Sequence, residues 1–285
     1  MQTPWTVLKV LNWTVDYFTA HQVPEPRLSA ELLLAHTLQC RRIDLYLQFD
    51  RILSLQERSR FREYVQRRVR REPVPYILGE TEFYGLPFFV QPGVLIPRPE
   101  TELLVDSVIE ECKRLDFKHP NILDLGTGAG CIAIVLAQQF PGARIQAIDI
   151  EKSAVELAKK NARRYRVHVE WQVADAFDFL TQTSQRFQVL VSNPPYVARK
   201  DWAQLPPEVR EHEPRTALDG GSDGLDFYRK LVPLINRVLT HPGLVALETG
   251  YDQARRVAEM LTRAGLKTQI RKDYQQIERV VIGTS

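Results

Sequence analysis

Apolar residues in the first quarter of the chain recur at helical spacing. Two such sets flank Pro24 and Pro26, namely Leu8, Leu11, Val15 and Phe18, and then Leu28, Leu32, Ala35 and Leu38. A further helix is predicted from 58 to 71, because Phe61 and Val65 share one face and Pro73 ends the pattern. Several amphipathic helices in succession predict a small helical bundle over residues 1–74.

The next segment, residues 75–99, has a different pattern. It reads PYILGETEFYGLPFFVQPGVLIPRP and is rich in aromatic residues, glycine and proline. Apolar runs broken by turn residues predict a short hairpin followed by a linker. Helical spacing resumes near Thr101, which is predicted to cap a helix that continues through Val108.

From Asn121 onward, short apolar runs alternate with helical patterns. The predicted strands are NILDLG, RIQAID, HVEWQV, FQVLVS, GLVALET and RVVIG. The predicted helices are CIAIVLAQQF, SAVELAKKNARR, residues 226–239 and DQARRVAEMLTRAG. This alternation predicts an α/β domain over residues 100–285, with a mainly parallel sheet covered by helices on both faces.

Composition excludes several classes of protein. The chain has 285 residues, of which 44% are hydrophobic and 26% charged, as in globular proteins. It has no apolar run of the roughly 18 residues that a membrane helix needs, and its N-terminus lacks a signal-peptide pattern. Three cysteines far apart argue against a disulfide framework or a zinc site, so no metal is expected. We therefore expect a soluble, cytoplasmic protein.

Charge is unevenly distributed along the chain. Residues 1–75 carry twelve Lys and Arg against eight Asp and Glu, whereas the whole chain has a net charge of only +3. Seven arginines lie between Arg58 and Arg71. This run is either a patch for RNA, a ribosome or an acidic protein, or a solvated helix face. The small net charge argues against direct nucleic-acid binding.

A glycine-rich loop follows the first strand of the α/β domain. Its residues are Gly126, Thr127, Gly128, Ala129 and Gly130, and the next helix begins directly after them. Glycines let the backbone approach a ligand closely, and the N-terminal amides of the helix face that ligand. Dinucleotide-binding folds have similar loops, so the loop by itself does not identify the cofactor.

Acidic residues near this loop indicate a nucleoside cofactor. Asp149 ends the second strand, 19 residues after Gly130, where a carboxylate suits ribose hydroxyls. Cys131 occupies the position of the third glycine in the dinucleotide fingerprint, and the third glycine of this loop, Gly130, comes one residue earlier. This spacing favours S-adenosylmethionine over NAD. Asp124 at the loop entrance suits the amino group of the methionine moiety. Asp175, with the backbone of Ala176, is placed to face adenine or to lie in a solvent-facing turn.

The tetrapeptide Asn193, Pro194, Pro195 and Tyr196 follows a nearly continuous apolar strand. The prolines remove two backbone donors, and Asn193 supplies a side-chain carbonyl acceptor. The Asn193 side chain and the Pro194 carbonyl suit the two N–H bonds of a planar amine or amide. Tyr196 offers a flat face to the same group. This constellation predicts orientation of a weakly nucleophilic planar nitrogen for methyl transfer.

These motifs resemble those of the HemK/PrmC protein-(glutamine-N5) methyltransferases. The segments that carry the resemblance are PYILGETEFYGLPFFV, VLIPRPETELLV, LDLGTGAGCIAI, VSNPPY and HEPRTALDGGSDGLDFY. The glycine loop and NPPY are shared with many amino-group methyltransferases, whereas the second and fifth segments are more specific. The resemblance implies a class I, Rossmann-like S-adenosylmethionine-dependent methyltransferase with a small N-terminal helical domain.

The resemblance also implies roles for individual residues. Its cofactor loop falls on residues 126–130, its ribose-binding acid on Asp149 and its adenine edge on Asp175 and Ala176. Its substrate clamp falls on residues 193–196, with Asn193 also close to the cofactor. The implied cofactor is S-adenosyl-L-methionine, converted to S-adenosyl-L-homocysteine. The implied partner is the GGQ loop of class 1 peptide chain release factors, docked through the N-terminal domain, and a monomer is expected.

Two alternatives remain beside this interpretation. A DNA or RNA adenine-N6 methyltransferase uses the same amine geometry, but it flips its base and normally needs a broad basic surface. Residues 76–285 carry 26 Lys and Arg against 27 Asp and Glu, which disfavours that class. A binding module without chemistry would have no need for the intact NPPY tetrapeptide.

Overall fold

The computed structural model describes residues 4–285, which form helices in the first part of the chain and a mixed α/β arrangement in the rest. The α-helices are α1 (Val7–Ala20), α2 (Pro26–Leu38), α3 (Asp44–Leu47), α4 (Leu55–Val69), α5 (Val74–Leu78), α6 (Glu100–Arg114), α7 (Cys131–Gln139), α8 (Lys152–Tyr165), α9 (Ala176–Gln182), α10 (Pro207–His212), α11 (Asp226–Val238) and α12 (Ala254–Arg263). The strands are β1 (Glu80–Phe83), β2 (Leu86–Phe89), β3 (Asn121–Leu125), β4 (Arg144–Asp149), β5 (Glu170–Val173), β6 (Phe187–Ser192), β7 (Leu239–Glu248), β8 (Lys267–Lys272) and β9 (Glu278–Thr284).

The first compact unit contains the chain up to Gly79 together with Pro206–His212. Helices α1, α2 and α4 bury the apolar faces predicted from their spacing, with Phe18, Leu33 and Phe61 among the buried side chains. Ser54 and Glu57 form a reciprocal capping box at the start of α4, which fixes where that helix begins. The helical character of this segment is therefore confirmed.

The arginine run of α4 is partly built into this first unit. The Arg68 side chain is 6% exposed and pairs with Glu208 at 3.1 Å, and Arg71 reaches the same carboxylate at 3.2 Å. Arg67 pairs with Glu72 at 2.5 Å. Because a buried guanidinium needs a paired acceptor, Arg68 holds α10 within the unit through Glu208, and Arg71 adds a second contact to the same carboxylate. A docking role for Arg60, Arg62 and Arg70, which are exposed, stays a prediction.

The second unit, Glu80–Leu205 with Glu213–Ser285, is built on a seven-stranded sheet. The strand order is β5-β4-β3-β6-β7-β9-β8. Strands β3 to β7 pair in parallel, and β9 runs antiparallel to both its neighbours, so the sheet is mainly parallel as predicted. Strand β8 was not predicted, since KTQIRK is a polar edge strand without a continuous apolar run.

Helices cover both faces of this sheet. One layer, formed by α6, α7 and α8, packs with the β1–β2 hairpin around buried residues such as Leu104, Ile134 and Phe88. The opposite layer, formed by α9, α11 and α12, includes Tyr228 and Leu261. The two apolar layers confirm the predicted α/β architecture and leave the carboxyl edge of the parallel strands open for the loops.

Three local predictions are corrected. Thr101 was expected to cap its helix, but α6 begins at Glu100 with Pro99 at the cap position, so Thr101 lies within the first turn. Residues Val74–Leu78 form a helix where a hairpin and linker were predicted, and the hairpin itself begins only at Glu80. The stretch after β6 is less irregular than predicted: it contains short 3-10 helices at Arg199–Gln204 and Arg215–Ala217, with α10 between them.

Candidate active site

A cavity lies at the carboxyl edge of the parallel strands, where the loops after β3, β4 and β6 meet. Parallel strands bring their carboxyl ends to the same edge, which is where ligands bind in open α/β sheets. The predicted site residues on its wall are Gly126, Thr127, Gly128, Ala129, Asp149, Asp175, Ala176, Asn193 and Pro195. Three other predicted residues, Gly130, Pro194 and Tyr196, do not line this wall.

The glycine loop is held against the end of β4. The amides of Gly126 and Thr127 donate to the Ile148 carbonyl at 2.9 and 3.0 Å. Gly130 caps α7 with φ of 83°, and a Cβ there would lie 2.9 Å from the Ala158 Cβ. Gly130 is therefore required for close packing of α7 on α8, which explains why it does not line the cavity.

Asp124 lies beneath the loop, not on the cavity wall. Its side chain is fully buried, and its Oδ2 accepts a hydrogen bond from the Thr127 hydroxyl at 2.7 Å. Its Oδ1 has no hydrogen-bond partner among residues 4–285. Burial raises the pKa of this carboxyl to about 7, and the Thr127 hydrogen bond opposes that rise. Contact between Asp124 and a cofactor amine stays a prediction.

Two acidic residues on the wall also shape the loops around them. Asp149 accepts hydrogen bonds from the Gly128 amide at 2.8 Å and the Glu151 amide at 2.9 Å. Burial raises the pKa of Asp149, while these backbone donors oppose the rise. Asp175 is the N-cap of α9, with Oδ1 accepting from the Phe177 amide at 2.8 Å. Each carboxylate thus combines a cavity position with a structural role.

The NPPY tetrapeptide begins where β6 ends at the same edge. The Asn193 side chain is partly buried, and its Nδ2 donates to the Thr101 hydroxyl oxygen at 3.0 Å. The Tyr196 hydroxyl donates to Glu248 Oε1 at 3.2 Å, and its ring packs against the apolar layer that contains α11. The Tyr196 carbonyl accepts from Gln253 Nε2 at 2.8 Å. Stacking of Tyr196 on a substrate amide stays a prediction.

The segment DGGSDG, which follows the second 3-10 helix, packs closely against the tetrapeptide. A Cβ at Gly224 would lie 2.4 Å from the Tyr196 carbonyl oxygen and 2.2 Å from Gln253 Nε2. Gly224 also has φ of 79°. Only glycine combines this backbone conformation with such a close approach, so Gly224 keeps the NPPY backbone in place.

Several wall residues were not among the predicted site residues. Ile150, Phe177 and Phe227 make part of the wall apolar, and the two phenylalanine rings have centroids 5.1 Å apart. Thr101 brings a hydroxyl to the same wall. The sequence signal for Thr101 and Phe227 was their presence in the two specific segments VLIPRPETELLV and HEPRTALDGGSDGLDFY. For Phe177 and Ile150, the only sequence signal was that they directly follow the predicted site residues Ala176 and Asp149.

Two family models match separate parts of the chain, and curated relatives match nearly its whole length. Residues 9–79 match the family described as PrmC N-terminal domain, and residues 99–206 match the methyltransferase small domain. A release factor glutamine methyltransferase of Geobacter sulfurreducens is 44% identical over 280 residues, covering 98% of this chain and 96% of the relative. One of Chlorobaculum tepidum is 40% identical over 96% of both chains. The chain belongs to the release factor glutamine methyltransferase family.

Solved structures agree with this family at the level of fold. A methyltransferase from Pyrococcus furiosus is 19% identical, covers 71% of this chain and 90% of its own, and has a TM-score of 0.52. The Thermus thermophilus 16S rRNA N2 G1207 methyltransferase, in complex with AdoMet and guanosine, is 18% identical, with a TM-score of 0.52 over 72% of this chain and 49% of its own. These structural similarities support a class I methyltransferase fold for this chain. Within residues 4–285, no helix is long and apolar enough to cross a membrane.

Proposed function

We propose that this member of the release factor glutamine methyltransferase family methylates the N5 amide nitrogen of the glutamine in the GGQ motif of class 1 release factors. The observation that carries the proposal is the position of Asn193. Its side chain lies on the same cavity wall as the glycine loop and Asp149. An amide-binding group and a nucleoside-binding loop therefore share one cavity, which is the arrangement that methyl transfer to an amide needs.

The cavity residues fit S-adenosylmethionine. Residues 126–129 present a loop whose glycines leave open space, since a Cβ on Gly126 or Gly128 would meet no atom within 4 Å. Asp149 would bind the ribose hydroxyls, and the wall near Asp175 and Phe177 would hold the adenine ring. When bound, this cofactor supplies an electrophilic methyl group. The buried, unpaired Oδ1 of Asp124 lies beneath the same loop.

The chain's own residues orient the acceptor nitrogen. The Asn193 side-chain oxygen and the Pro194 carbonyl would accept the two N–H bonds of the glutamine amide, which leaves its lone pair directed into the cavity. An amide nitrogen is a poor nucleophile because its lone pair is delocalised, so fixed orientation and preorganised acceptors supply most of the rate enhancement. No basic residue is needed in this scheme, because the proton leaves after the methyl group is gained.

An adenine-N6 methyltransferase is the other class with this amine geometry, and family membership disfavours it. The release factor is the proposed macromolecular partner, docked through the N-terminal helical domain of residues 1–74. We expect the enzyme to act as a monomer in the cytoplasm, where translation termination supplies its substrate, and to bind no nucleic acid directly.

A transfer assay with labelled S-adenosylmethionine tests the proposal. The purified protein is offered a bacterial release factor, the same factor with the GGQ glutamine changed to alanine, and unmethylated DNA. We expect label only on the intact factor, with loss of the signal when the glutamine is replaced. Label on DNA alone would identify an adenine methyltransferase, and absence of label on all three substrates would refute the assignment.

A further inference from the structure

Arg98 is a basic residue on a cavity wall that otherwise carries only neutral and acidic residues. Within residues 4–285 it is the only lysine, arginine or histidine on that wall, which also includes Asp149, Glu151 and Asp175. The Arg98 side chain is 29% exposed, so a ligand can reach it. A single guanidinium on the wall of a small-molecule cavity favours a ligand with an anionic group.

The Glu213 carboxylate fixes the position of Arg98. The Glu213 side chain is 1% exposed, and its Oε1 accepts a hydrogen bond from Arg98 Nη2. Its Oε2 accepts from the Ile96 amide at 3.4 Å, so the same carboxylate also holds the backbone just before Arg98. A buried carboxylate is costly without a charged partner, so this ion pair is a fixed part of the cavity wall.

The guanidinium of Arg98 retains donors for a ligand. It has five N–H groups, and the hydrogen bond to Glu213 is the one that it donates within residues 4–285. Nε, Nη1 and the second N–H of Nη2 are therefore available. Two N–H groups on neighbouring nitrogens of a guanidinium bind the two oxygens of a carboxylate in parallel.

The strand order separates Arg98 from the acidic part of the wall. Asp149 ends β4 and Asp175 follows β5, on one side of β3. The Arg98 carbonyl accepts from the amide of Thr101, whose hydroxyl contacts Asn193 at the end of β6, on the other side of β3. With ribose and adenine on the acidic side, as proposed above, the methionine moiety of the cofactor would extend toward Arg98.

We propose that Arg98 binds the carboxylate of the methionine moiety of S-adenosylmethionine and that Glu213 is the positioning residue for the Arg98 guanidinium. At neutral pH this carboxylate is the one anionic group of the cofactor, beside its ammonium and sulfonium cations. One anionic group thus meets the one basic residue of the wall. The inference rests on the proposed function for the placement of ribose and adenine.

Binding of two ligands tests the inference without turnover. Calorimetry gives the Kd of S-adenosylmethionine and that of decarboxylated S-adenosylmethionine, which lacks only the carboxylate. Because a hydrogen-bonded contact between two charged groups changes affinity by about tenfold or more, the wild type should bind the intact cofactor at least about tenfold more tightly. In Arg98→Gln this ratio of Kd values should fall about tenfold, to nearly equal binding of the two ligands.

The ratio distinguishes contact with the carboxylate from a structural effect, because a displaced wall weakens both ligands by the same factor. Glu213→Gln should lower the ratio about threefold or more, since Arg98 loses its charged partner. Arg215→Gln is the matched control: Arg215 pairs with Asp219 at 3.3 Å, but its side chain is 63% exposed and it is absent from the cavity wall. It should leave the ratio unchanged.

An unchanged ratio in Arg98→Gln would overturn the inference, whether both ligands bind normally or both bind more weakly. If, in addition, the KM for the release factor rises in that variant, Arg98 contacts the protein substrate and not the cofactor. An unchanged ratio in Glu213→Gln would refute the positioning role.

Failure of the proposed function gives a different result, because the wild type then shows no glutamine-dependent methylation while the ratio of Kd values is still measurable. Arg98→Gln leaves Glu213 buried without its cation, and thermal unfolding recognises any folding defect that results. The double variant Arg98→Gln with Glu213→Gln removes that unpaired charge. It then carries the test, with the same nearly equal binding of the two ligands expected.

Discussion

Asn161 connects the β1–β2 hairpin to the glycine loop through one buried side chain. Its Oδ1 accepts from the Phe89 amide at 2.8 Å, and its Nδ2 donates to the Phe89 carbonyl at 3.1 Å and the Ala129 carbonyl at 2.9 Å. Asn161 is fully buried on α8, and Ala129 belongs to the glycine loop on the cavity wall. Replacement by leucine keeps the approximate volume and removes all three hydrogen bonds.

The expected loss of stability in Asn161→Leu follows from the polar groups that the substitution leaves without hydrogen-bond partners. A buried polar group that loses its hydrogen bond costs about 1–3 kcal/mol, and less where water reaches it. The contact to Ala129 is buried and the two contacts to Phe89 are partly buried. We therefore expect Asn161→Leu to lower the free energy of unfolding by about 2–4 kcal/mol. We also expect weaker cofactor binding, because the Ala129 segment loses its anchor.

Urea unfolding and calorimetric titration with S-adenosylmethionine measure the two effects. Asn236→Ala is the matched control, since Asn236 also donates through Nδ2 to a backbone carbonyl, that of Ala264, but lies exposed on α11. Its unfolding free energy should change by less than about 0.5 kcal/mol. The reasoning is refuted if Asn161→Leu is as stable as that control, or if it loses stability while cofactor affinity stays at the wild-type value.

Three further predictions concern the cavity and its supporting loop. Asp149→Ala should raise the Kd for S-adenosylmethionine about tenfold or more, because it removes the carboxylate proposed for the ribose and the acceptor of the Gly128 amide; unchanged affinity in a titration would contradict the ribose assignment. Asn193→Ala should lower kcat about 100-fold with a smaller effect on cofactor affinity, as expected for loss of a preorganised contact to the reacting group; steady-state kinetics with near-normal turnover would exclude the clamp. Burial raises the pKa of Asp124 from 3.8 to about 7, so its contribution to stability is present at low pH and is lost as the pH rises through about 7. In urea unfolding, Asp124→Asn should reduce the decrease in unfolding free energy between pH 4 and 7. An unchanged pH profile would show that Asp124 does not cause this decrease.

The amino-acid sequence determined the elements whose signal is local. Helical spacing gave α1, α2 and α4, and continuous apolar runs gave the buried parallel strands. The glycine loop and NPPY were recognisable because each is a short motif at the end of such a strand. Asp149 could be placed because, in a parallel α/β unit, the end of the second strand lies beside the first loop. Periodicity and motif position thus sufficed for the fold class and for nine of the residues on the cavity wall.

Tertiary structure decided the pairings between distant segments. Asn193 meets Thr101 across 92 residues of sequence, and Tyr196 meets Glu248 across 52. Local patterns carry no information about such pairs, so Thr101 was assigned to a helix cap and Glu248 to no role. Gly130 was placed with the cofactor loop, but in the structure its missing side chain serves the packing of α7 on α8.

The sequence analysis also missed features that depend on where a segment lies in the folded chain. Strand β8 lies at the edge of the sheet, where alternating exposure replaces the apolar run of a central strand. Arg68 belongs to a run that, in the sequence, is indistinguishable from a solvated helix face, yet the fold buries it against Glu208. Hydrophobic patterning determines which faces are buried, whereas the partner of a buried polar group is fixed only when the chain brings distant segments together.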